Sequence, residues 1–399
     1  NFRLGGEPEA ERLCQFAQDV NVPYDKRLLA LELLMIWDSP PDREGVWGRW
    51  YPIRRATGGM ARGPARKYLP NLLQVSESKM QALAQRLDGL YGKEKTAIQL
   101  AEMVSSSKTV EALRIEALIQ LEKNPDPTAR ELFNSVCPQA LADPASAELR
   151  AAALKSWANI HGDDAKSVIL QVASSGQTVT ERQAAVQAAS SLSSDLLRLF
   201  FLGDSENHEG WLPQLASGTL DPVIQLDVFE AAENSTDETL NRVAKAFRDE
   251  VKPQDIHRLS LHGGDPVRGK AIYETNLAAQ CMRCHALAGK GGDVGPTLDG
   301  LAKNRKPEHI LQSVVDPQAD VTPGFGMQTV TMNDGVLISG TLILETDKEI
   351  VIRDAEGEKR LLLADVKDRS KKVSGMPPAG LVLKPRELRD LLAFLQGLD

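Results

Sequence analysis

Residues 281–285 have the sequence CMRCH, in a chain of 399 residues that contains only four cysteines. Two thiols three positions apart with an imidazole directly behind them fit a redox dithiol, half of a zinc site or a covalent haem attachment. A zinc site needs two more soft ligands, and Cys14 and Cys137 are remote in sequence and form no second pair. A thioredoxin-like dithiol needs a βαβ setting, which the flanking sequence does not show. The adjacent histidine therefore favours a haem attachment.

The flanks of this motif resemble those of class I cytochromes c. Residues 265–276 (DPVRGKAIYETN) have an amphipathic pattern with Gly269 four residues before Tyr273, and they resemble the first helix of that family. In the family, the glycine lets the last helix cross closely and the aromatic ring packs at the crossing. Residues 388–398 (LRDLLAFLQGL) resemble that last helix. The resemblance implies that these two helices pack against each other.

A loop beyond the motif strengthens the resemblance. Residues 295–298 (GPTL) resemble the family's G-P-x-L loop, in which the proline carbonyl accepts the Nδ1 proton of the proximal histidine. That hydrogen bond leaves Nε2 free for iron. The resemblance implies one covalent haem c bonded to Cys281 and Cys284, with His285 as the proximal iron ligand and Pro296 as its hydrogen-bond partner.

The sixth iron ligand has five candidates: His262, His309, Met327, Met332 and Met376. Class I cytochromes place a methionine before a proline ahead of the last helix, and residues 373–381 (VSGMPPAGL) have that arrangement. We therefore expect Met376, with Met327 as the second choice, since Met332 lies on a strand pattern. A thioether ligand raises the reduction potential and closes the iron to exogenous ligands, which favours electron transfer over oxygen chemistry.

A β-rich segment separates the histidine from this methionine. Residues 327–366 contain β-branched runs broken at Asn333-Asp334-Gly335, Thr346-Asp347-Lys348 and Glu356-Gly357. This pattern predicts a four-stranded antiparallel meander, inserted between the third helix and the methionine loop. The insert could cover a haem edge, present a docking surface or serve only as structural filling.

The first two-thirds of the chain has a helical apolar period, broken at Pro, Gly, Asp and Asn. Three of its helices begin alike, and Arg114, Arg150 and Arg182 recur at an interval of roughly 35 residues, which is typical of an α-solenoid. The pattern resembles HEAT-type repeats; an irregular helical domain is the alternative. The repeat pattern stops at residues 255–266 (DIHRLSLHGGDP). We expect a HEAT-like domain over residues 1–257 and a cytochrome c domain over residues 258–399.

Residues 45–70 differ from the rest of the helical region. They contain six basic residues, no acidic residue and four interleaved Trp and Tyr residues. Their Gly and Pro content predicts an ordered loop or extension. The segment either docks an acidic partner or ligand, or pairs with acidic residues of this chain, and we favour the second interpretation.

The composition excludes some classes of protein. The net charge is −8, which argues against nucleic-acid binding by the chain as a whole. No apolar run approaches the ~18 residues of a membrane span, so we expect no transmembrane segment. The amino terminus has neither an initiator Met nor a signal-peptide pattern, which indicates a mature or truncated chain.

Several segments together resemble one larger family, in order as well as content. They are GKAIY, CMRCH, GPTLDGL, ILQSVVDP, the β-insert, SGMPPAGL and LLAFL. They resemble the haem-binding domain at the carboxyl end of large planctomycete and verrucomicrobial proteins, over residues 264–399. In that family the domain commonly follows HEAT-like repeats, which a β-propeller resembling quinoprotein sugar dehydrogenases often precedes.

The leading hypothesis for function is electron transfer through the haem, in a chain that is itself no enzyme but the cytochrome part of a larger dehydrogenase. A dehydrogenase domain or subunit would be the electron donor, and another cytochrome the acceptor. Covalent haem attachment occurs outside the bacterial cytoplasm, so we expect a periplasmic or exported protein. The alternatives are a haem peroxidase or gas sensor with a labile sixth ligand, and a repeat scaffold with a structural haem. Cys14 and Cys137 are either disulfide-bonded or free and buried.

Overall fold

The computed structural model of the chain describes residues 2–40, 60–92, 95–204, 208–251 and 255–399. These ranges are mainly helical, with a small antiparallel sheet near the carboxyl end. The chain divides into two compact units, Asn1–Leu196 and Leu197–Asp399. The predicted domain boundary between residues 257 and 258 lies inside the second unit and stays a prediction. In the ranges described, no helix has both the length and the apolar character needed to span a membrane.

The described residues of the first unit form mainly helices that bury apolar side chains between them. One apolar core lies among α1 to α4, and another lies among α5 to α8. Helix α6 packs against α8, α8 packs against α10, and α5 packs against α7. The helices are α1 (Glu7–Gln18), α2 (Tyr24–Met35), α3 (Arg62–Leu72), α4 (Ser78–Tyr91), α5 (Ala97–Ser105), α6 (Glu111–Lys123), α7 (Pro127–Leu141), α8 (Ala147–His161), α9 (Lys166–Ser175) and α10 (Val179–Ala189), and α11 (Ser194–Leu202) crosses the division between the units.

Arginines in the first unit bind the carboxyl ends of preceding helices. Nε of Arg27 in α2 donates to the Ala17 carbonyl of α1 at 2.9 Å, and Nε of Arg114 in α6 donates to the Val104 carbonyl of α5 at the same distance. Nη1 of Arg150 in α8 donates to the Asp143 carbonyl just after α7. A cation at this end satisfies carbonyls that have no partner within the helix and opposes the negative end of the helix dipole. This contact between an arginine and the carboxyl end of the preceding helix therefore recurs in successive helix pairs.

The same arginines connect neighbouring helix pairs through ion pairs. Nη2 of Arg114 lies 2.7 Å from Oδ2 of Asp143, and Nε of Arg150 lies 2.7 Å from Oε1 of Glu181. Hydrogen bonds from Arg150 lower the pKa of Glu181. Each arginine thus contacts both the helix before it and the pair after it, which explains why the residue recurs in the sequence.

The basic segment at residues 45–70 is partly helical. Residues 41–59 lie outside the described part of the chain, but the prediction of a loop is wrong for residues 62–70, which belong to α3. Pro64 stands in the first turn of α3, where a helix needs no N–H from it. Lys67 and Tyr68 both contact the Glu11 carboxylate of α1, in agreement with pairing inside the chain.

The second unit begins with helices and ends with the region that resembles a cytochrome. A short ribbon, β1 (Gly203–Asp204) with β2 (His208–Glu209), follows α11. The 3-10 helices are Asp255–Ser260, Cys281–Arg283, Leu363–Asp365 and Ala379–Leu381. The α-helices are α12 (Trp211–Ser217), α13 (Gln225–Glu233), α14 (Glu238–Glu250), α15 (Pro266–Thr275), α16 (Leu301–Asn304), α17 (Pro307–Val315) and α18 (Pro385–Leu395).

The β-insert forms a six-stranded antiparallel sheet. Its strands are β3 (Gly326–Met332), β4 (Leu337–Glu345), β5 (Glu349–Asp354), β6 (Gly357–Leu362), β7 (Val366–Arg369) and β8 (Val373–Ser374). Strands β3 to β6 are the predicted meander, with its three turns where the sequence indicated them. The prediction of four strands is too small, because β7 and β8 pair with the free edge of β3. The sheet therefore extends to within two residues of Met376.

Helices α15 and α18 cross closely, as the family resemblance implied. A Cβ atom on Gly269 would lie 1.9 Å from the Asp390 carbonyl oxygen of α18, so only glycine allows this approach. The rings of Tyr273 and Phe394 pack beside the crossing with centroids 5.7 Å apart. Leu388, Leu391 and Leu392 of α18 are buried in the same core cluster as Tyr273.

We expect Gly269→Ala to lower the free energy of unfolding of the second unit by about 1–3 kcal/mol, because the added methyl group must push α18 away. Gly89→Ala in α4 is the matched control, since its Cβ would lie 3.4 Å from Leu113 and would meet no backbone. That variant should be neutral or stabilising by up to about 1 kcal/mol. Denaturant unfolding measures both, and equal stabilities would contradict the close crossing.

Candidate functional site

The CMRCH motif lies on a short 3-10 helix, Cys281–Arg283. Gln280 precedes this helix with a left-handed φ of 46°, which turns the chain sharply into the motif. The His285 N–H donates to the Cys281 carbonyl at 3.0 Å and closes one further turn. Cys281 and Cys284 are both partly exposed, and burial raises the pKa of the Cys281 thiol.

The loop after the motif folds back on it through close backbone contacts. The Gly295 N–H donates to the Cys284 carbonyl at 2.8 Å, and the Gly292 N–H donates to the Met282 carbonyl at 2.9 Å. A Cβ atom on Gly292 would lie 2.0 Å from the Arg283 carbonyl oxygen. The glycines of this loop therefore permit an approach that a side chain would prevent.

The His285 ring is held in one tautomer. Its Nδ1 lies 2.8 Å from the Pro296 carbonyl oxygen, which is the predicted hydrogen bond. A carbonyl can only accept, so Nδ1 carries the proton and Nε2 keeps its lone pair for a metal. A Cβ atom on Gly295 would lie 2.6 Å from Cε1 of the ring, so the glycine lets the loop lie against the imidazole.

Two residues that the sequence analysis did not assign to the site also support it. The Tyr273 hydroxyl donates to the His285 carbonyl at 2.9 Å, and burial raises the pKa of this hydroxyl. Asp299 accepts the Ala288 N–H at 2.8 Å, and this hydrogen bond is the main reason that its pKa is lowered. The spacing of Tyr273 indicated only a packing role, and nothing local to Asp299 indicated its partner eleven residues earlier.

The sixth-ligand candidates separate by their surroundings. Met376 is partly buried and packs against the apolar core cluster of the cytochrome region, against which Cys281 and Leu298 also pack. Met332 packs against the separate core of the β-insert. Met327 is 46% exposed on β3, and its Sδ would lie 3.9 Å from a Cβ atom on Gly375. Met376 is thus the candidate methionine that shares an apolar cluster with Cys281, and Met327 lies near Gly375, the residue before Met376.

The histidine candidates have different surroundings. His262 is exposed. His309 lies on α17, with Nε2 2.9 Å from Oδ2 of Asp320 and Nδ1 3.3 Å from Oγ of Ser313. Both ring nitrogens of His309 therefore have protein partners.

The other two cysteines are buried free thiols. Cys14 lies in α1 and Cys137 in α7, in different core clusters. Burial raises the pKa of each thiol to about 12. They are therefore inert structural residues rather than a disulfide.

The motif region has the features that a covalent haem c needs. It presents two partly exposed cysteines three positions apart, an imidazole whose Nδ1 is hydrogen-bonded to a carbonyl, and an apolar core cluster against which Cys281 and Met376 both pack. Cys281 and Cys284 could form the thioethers, and His285 and Met376 could bind the iron. Within the described ranges, no group of three or more His, Cys, Asp or Glu side chains is arranged to hold a bare metal ion.

Comparison with known proteins agrees with this arrangement. The cytochrome c family model matches residues 266–337. Over 71 residues, 18% of its length, the chain is 35% identical to a protein of Synechocystis sp. described as cytochrome c-553-like. The chain spans 63% of that relative's length. Met376 and α18 lie beyond the range that the family model matches.

The matched range contains the motif helix, the Gly-Pro loop and the imidazole that they hold in place. Helix α15 opens this range. Such a domain implies a covalently bound haem c and suggests an exported protein. Residues 266–337 of this chain are a domain of the cytochrome c family.

Proposed function

We propose that this chain transfers electrons through one haem c, attached to Cys281 and Cys284 and ligated by His285 and Met376. One observation carries the proposal most of all. The Pro296 carbonyl fixes the proton of His285 on Nδ1, so Nε2 is available as a permanent iron ligand.

The bound haem would supply the one-electron chemistry, since its iron alternates between ferric and ferrous states. The side chains of this chain would bind and orient. Pro296 holds the imidazole, the Tyr273 hydroxyl holds the backbone of His285, and the apolar core cluster packs against Met376. No proton transfer is needed in this role.

We further propose that the helices of the first unit are HEAT-like repeats that carry the cytochrome domain. The support is the recurrence of one device, in which an arginine binds the preceding helix end and pairs with an acid of the next helix pair. In this role the repeats position the cytochrome domain against its electron donor.

The donor in this proposal is a dehydrogenase domain or subunit, and the acceptor is another cytochrome. The support is the resemblance of residues 264–399 to a family of haem-binding domains. In that family the domain commonly follows HEAT-like repeats, and a quinoprotein-like propeller often precedes the repeats. Covalent haem attachment occurs outside the bacterial cytoplasm, so the working compartment is the periplasm or the exterior.

Mass spectrometry tests the haem assignment. The chain, exported together with haem-maturation machinery, should be heavier than the polypeptide by one haem. The double variant Cys281→Ala/Cys284→Ala should have the bare polypeptide mass. Cys14→Ala/Cys137→Ala is the matched control, because it also removes two thiols, and it should keep the haem. A colourless wild-type protein of polypeptide mass would refute the proposal.

Reduction by small electron donors separates electron transfer from the alternatives. A closed site should accept electrons rapidly while the ferrous protein binds carbon monoxide slowly. Rapid carbon monoxide binding by the wild type would instead support the peroxidase or gas-sensor hypothesis.

A further inference from the structure

The loop before Met376 has an unusual partner. Gln318 lies just beyond α17, whose residues Ile310 and Leu311 are buried in the core cluster of the cytochrome domain. Its side-chain Nε2 donates to the Ser374 carbonyl at 3.0 Å, and its Oε1 accepts the Ser374 N–H at 2.9 Å. One side chain therefore binds both backbone polar groups of a residue two positions before Met376.

This contact completes a strand pairing. Strand β8 (Val373–Ser374) pairs with β3 on one side, with Ser374 opposite Gly326 and Val373 opposite Met327. A glutamine amide carries the same donor and acceptor as a peptide group, so Gln318 takes the place of a neighbouring strand at the other edge. The strand that leads to Met376 is thus held between the sheet and the end of α17.

A further hydrogen bond connects Ser374 with Met376. The Met376 N–H donates to Oγ of Ser374 at 3.1 Å. Before β8 in the chain, Lys372 and Arg369 both bind the Glu345 carboxylate of β4 at 2.8 and 2.7 Å, and these two contacts lower the pKa of Glu345. Residues 369–376 are therefore held by the two ion pairs with Glu345, by the Gln318 amide and by the hydrogen bond between Ser374 and Met376.

We propose that Gln318 is a positioning residue for Met376, the sixth iron ligand. We further propose that the β-insert, together with Gln318, supports residues 374–376. The inference rests on the proposed function, since it gives the insert a task only if Met376 binds iron. Gln318 does not touch the ligand. Its amide fixes Ser374, and Ser374 fixes the backbone of Met376. Loss of the amide would therefore allow Met376 to leave the iron more often.

The first test is the variant Gln318→Leu in the haem-loaded full chain. Without the two hydrogen bonds, the fraction of molecules with an open sixth position should rise about tenfold. Because apparent affinity scales with that fraction, the ferric variant should bind added imidazole about tenfold more tightly. The near-infrared band that reports sulfur ligation should weaken in parallel.

Gln312→Leu is the matched control. Gln312 is exposed on α17, six residues before Gln318, and its replacement by leucine removes the same amide group. Its imidazole affinity and sulfur band should equal those of the wild type. Equal behaviour of the two leucine variants would overturn the inference.

Gln318→Glu provides a second test that does not depend on the leucine variant folding. An ionised glutamate cannot donate to the Ser374 carbonyl, whereas a protonated carboxyl group again has one donor and one acceptor. The sulfur band should therefore be weak at neutral pH and recover as the pH falls toward the ordinary glutamate pKa of about 4.3. If Gln318 had only a general structural role, the sulfur band would not recover as the pH falls. A band that stays weak at every pH would therefore count against the inference.

The outcomes separate this inference from the proposed function. A wild-type protein with no haem or no sulfur band would overturn the proposed function, and the inference with it. A wild-type protein with a sulfur band that Gln318→Leu and Gln318→Glu leave intact would overturn the role of Gln318 alone.

Discussion

Met376→Ala is expected to abolish the near-infrared sulfur band of the ferric protein and to lower its reduction potential by on the order of 100 mV. The reason is that a thioether favours the ferrous state relative to water or an imidazole in the same position. Removal of the side chain would also leave the sixth position without its protein ligand, so carbon monoxide should bind the ferrous variant rapidly.

Two other methionines serve as controls for this prediction. Met332→Ala should leave the spectrum unchanged, because Met332 packs in the core of the sheet. Met327→Ala should also leave it unchanged, although Met327 lies near Gly375. If Met376→Ala keeps the sulfur band and Met327→Ala loses it, the sixth ligand is Met327.

Asp227→Ala is expected to lower the free energy of unfolding of the second unit by about 3–5 kcal/mol. Asp227 in α13 is fully buried, and its Oδ2 lies 2.6 Å from Nη1 of Arg389 in α18, whose side chain is only 4% exposed. The substitution would leave a buried guanidinium without this carboxylate, and the desolvated cation would be strongly unfavourable. Arg386, which also contacts Asp227, would keep its ion pair with Glu230.

A double variant distinguishes loss of charge balance from loss of packing. Asp227→Leu/Arg389→Met replaces the buried pair with apolar side chains of similar volume, and such replacements are often neutral or stabilising. Chemical unfolding followed by haem absorbance and by far-ultraviolet circular dichroism measures each variant. We expect the single variant to be destabilised and the double variant to be close to the wild type.

The same measurement tests the domain boundary predicted between residues 257 and 258. Asp227 precedes this boundary and Arg389 follows it, yet they form a buried ion pair in one compact unit. If the cytochrome region unfolds independently of the helices before it, Asp227→Ala will not change the haem-monitored transition. A shifted transition would show that α13 and α18 unfold together.

Local patterns were sufficient for much of the site. The spacing of the two thiols, the histidine behind them and the Gly-Pro loop predicted the contact between Nδ1 of His285 and Pro296 that the structure contains. The turns of the β-insert were predicted equally well, because Gly335 and Gly357 have the positive φ values that such turns require. In each case the residues that decide the geometry are close together in sequence or belong to a short motif.

Local patterns failed where several weak preferences compete. Gly and Pro in residues 62–70 predicted a loop. Pro64 lies in the first turn of α3, which tolerates proline, Pro70 lies within the helix near its end, and burial of Ala65 and Leu69 favours α3. The last strands of the sheet were missed because β7 and β8 are short and polar, with little alternation to mark them.

By itself, the sequence predicted the residues of the candidate site: two thiols, an imidazole whose Nδ1 faces a proline carbonyl, and a methionine before a proline, all in short motifs. Only the tertiary structure decided what holds those residues in place. Gln318 meets Ser374, and Asp227 meets Arg389, across long stretches of chain. Hydrophobic period and turn residues specify elements, but the pairing of polar groups far apart in sequence depends on the packing that brings the elements together.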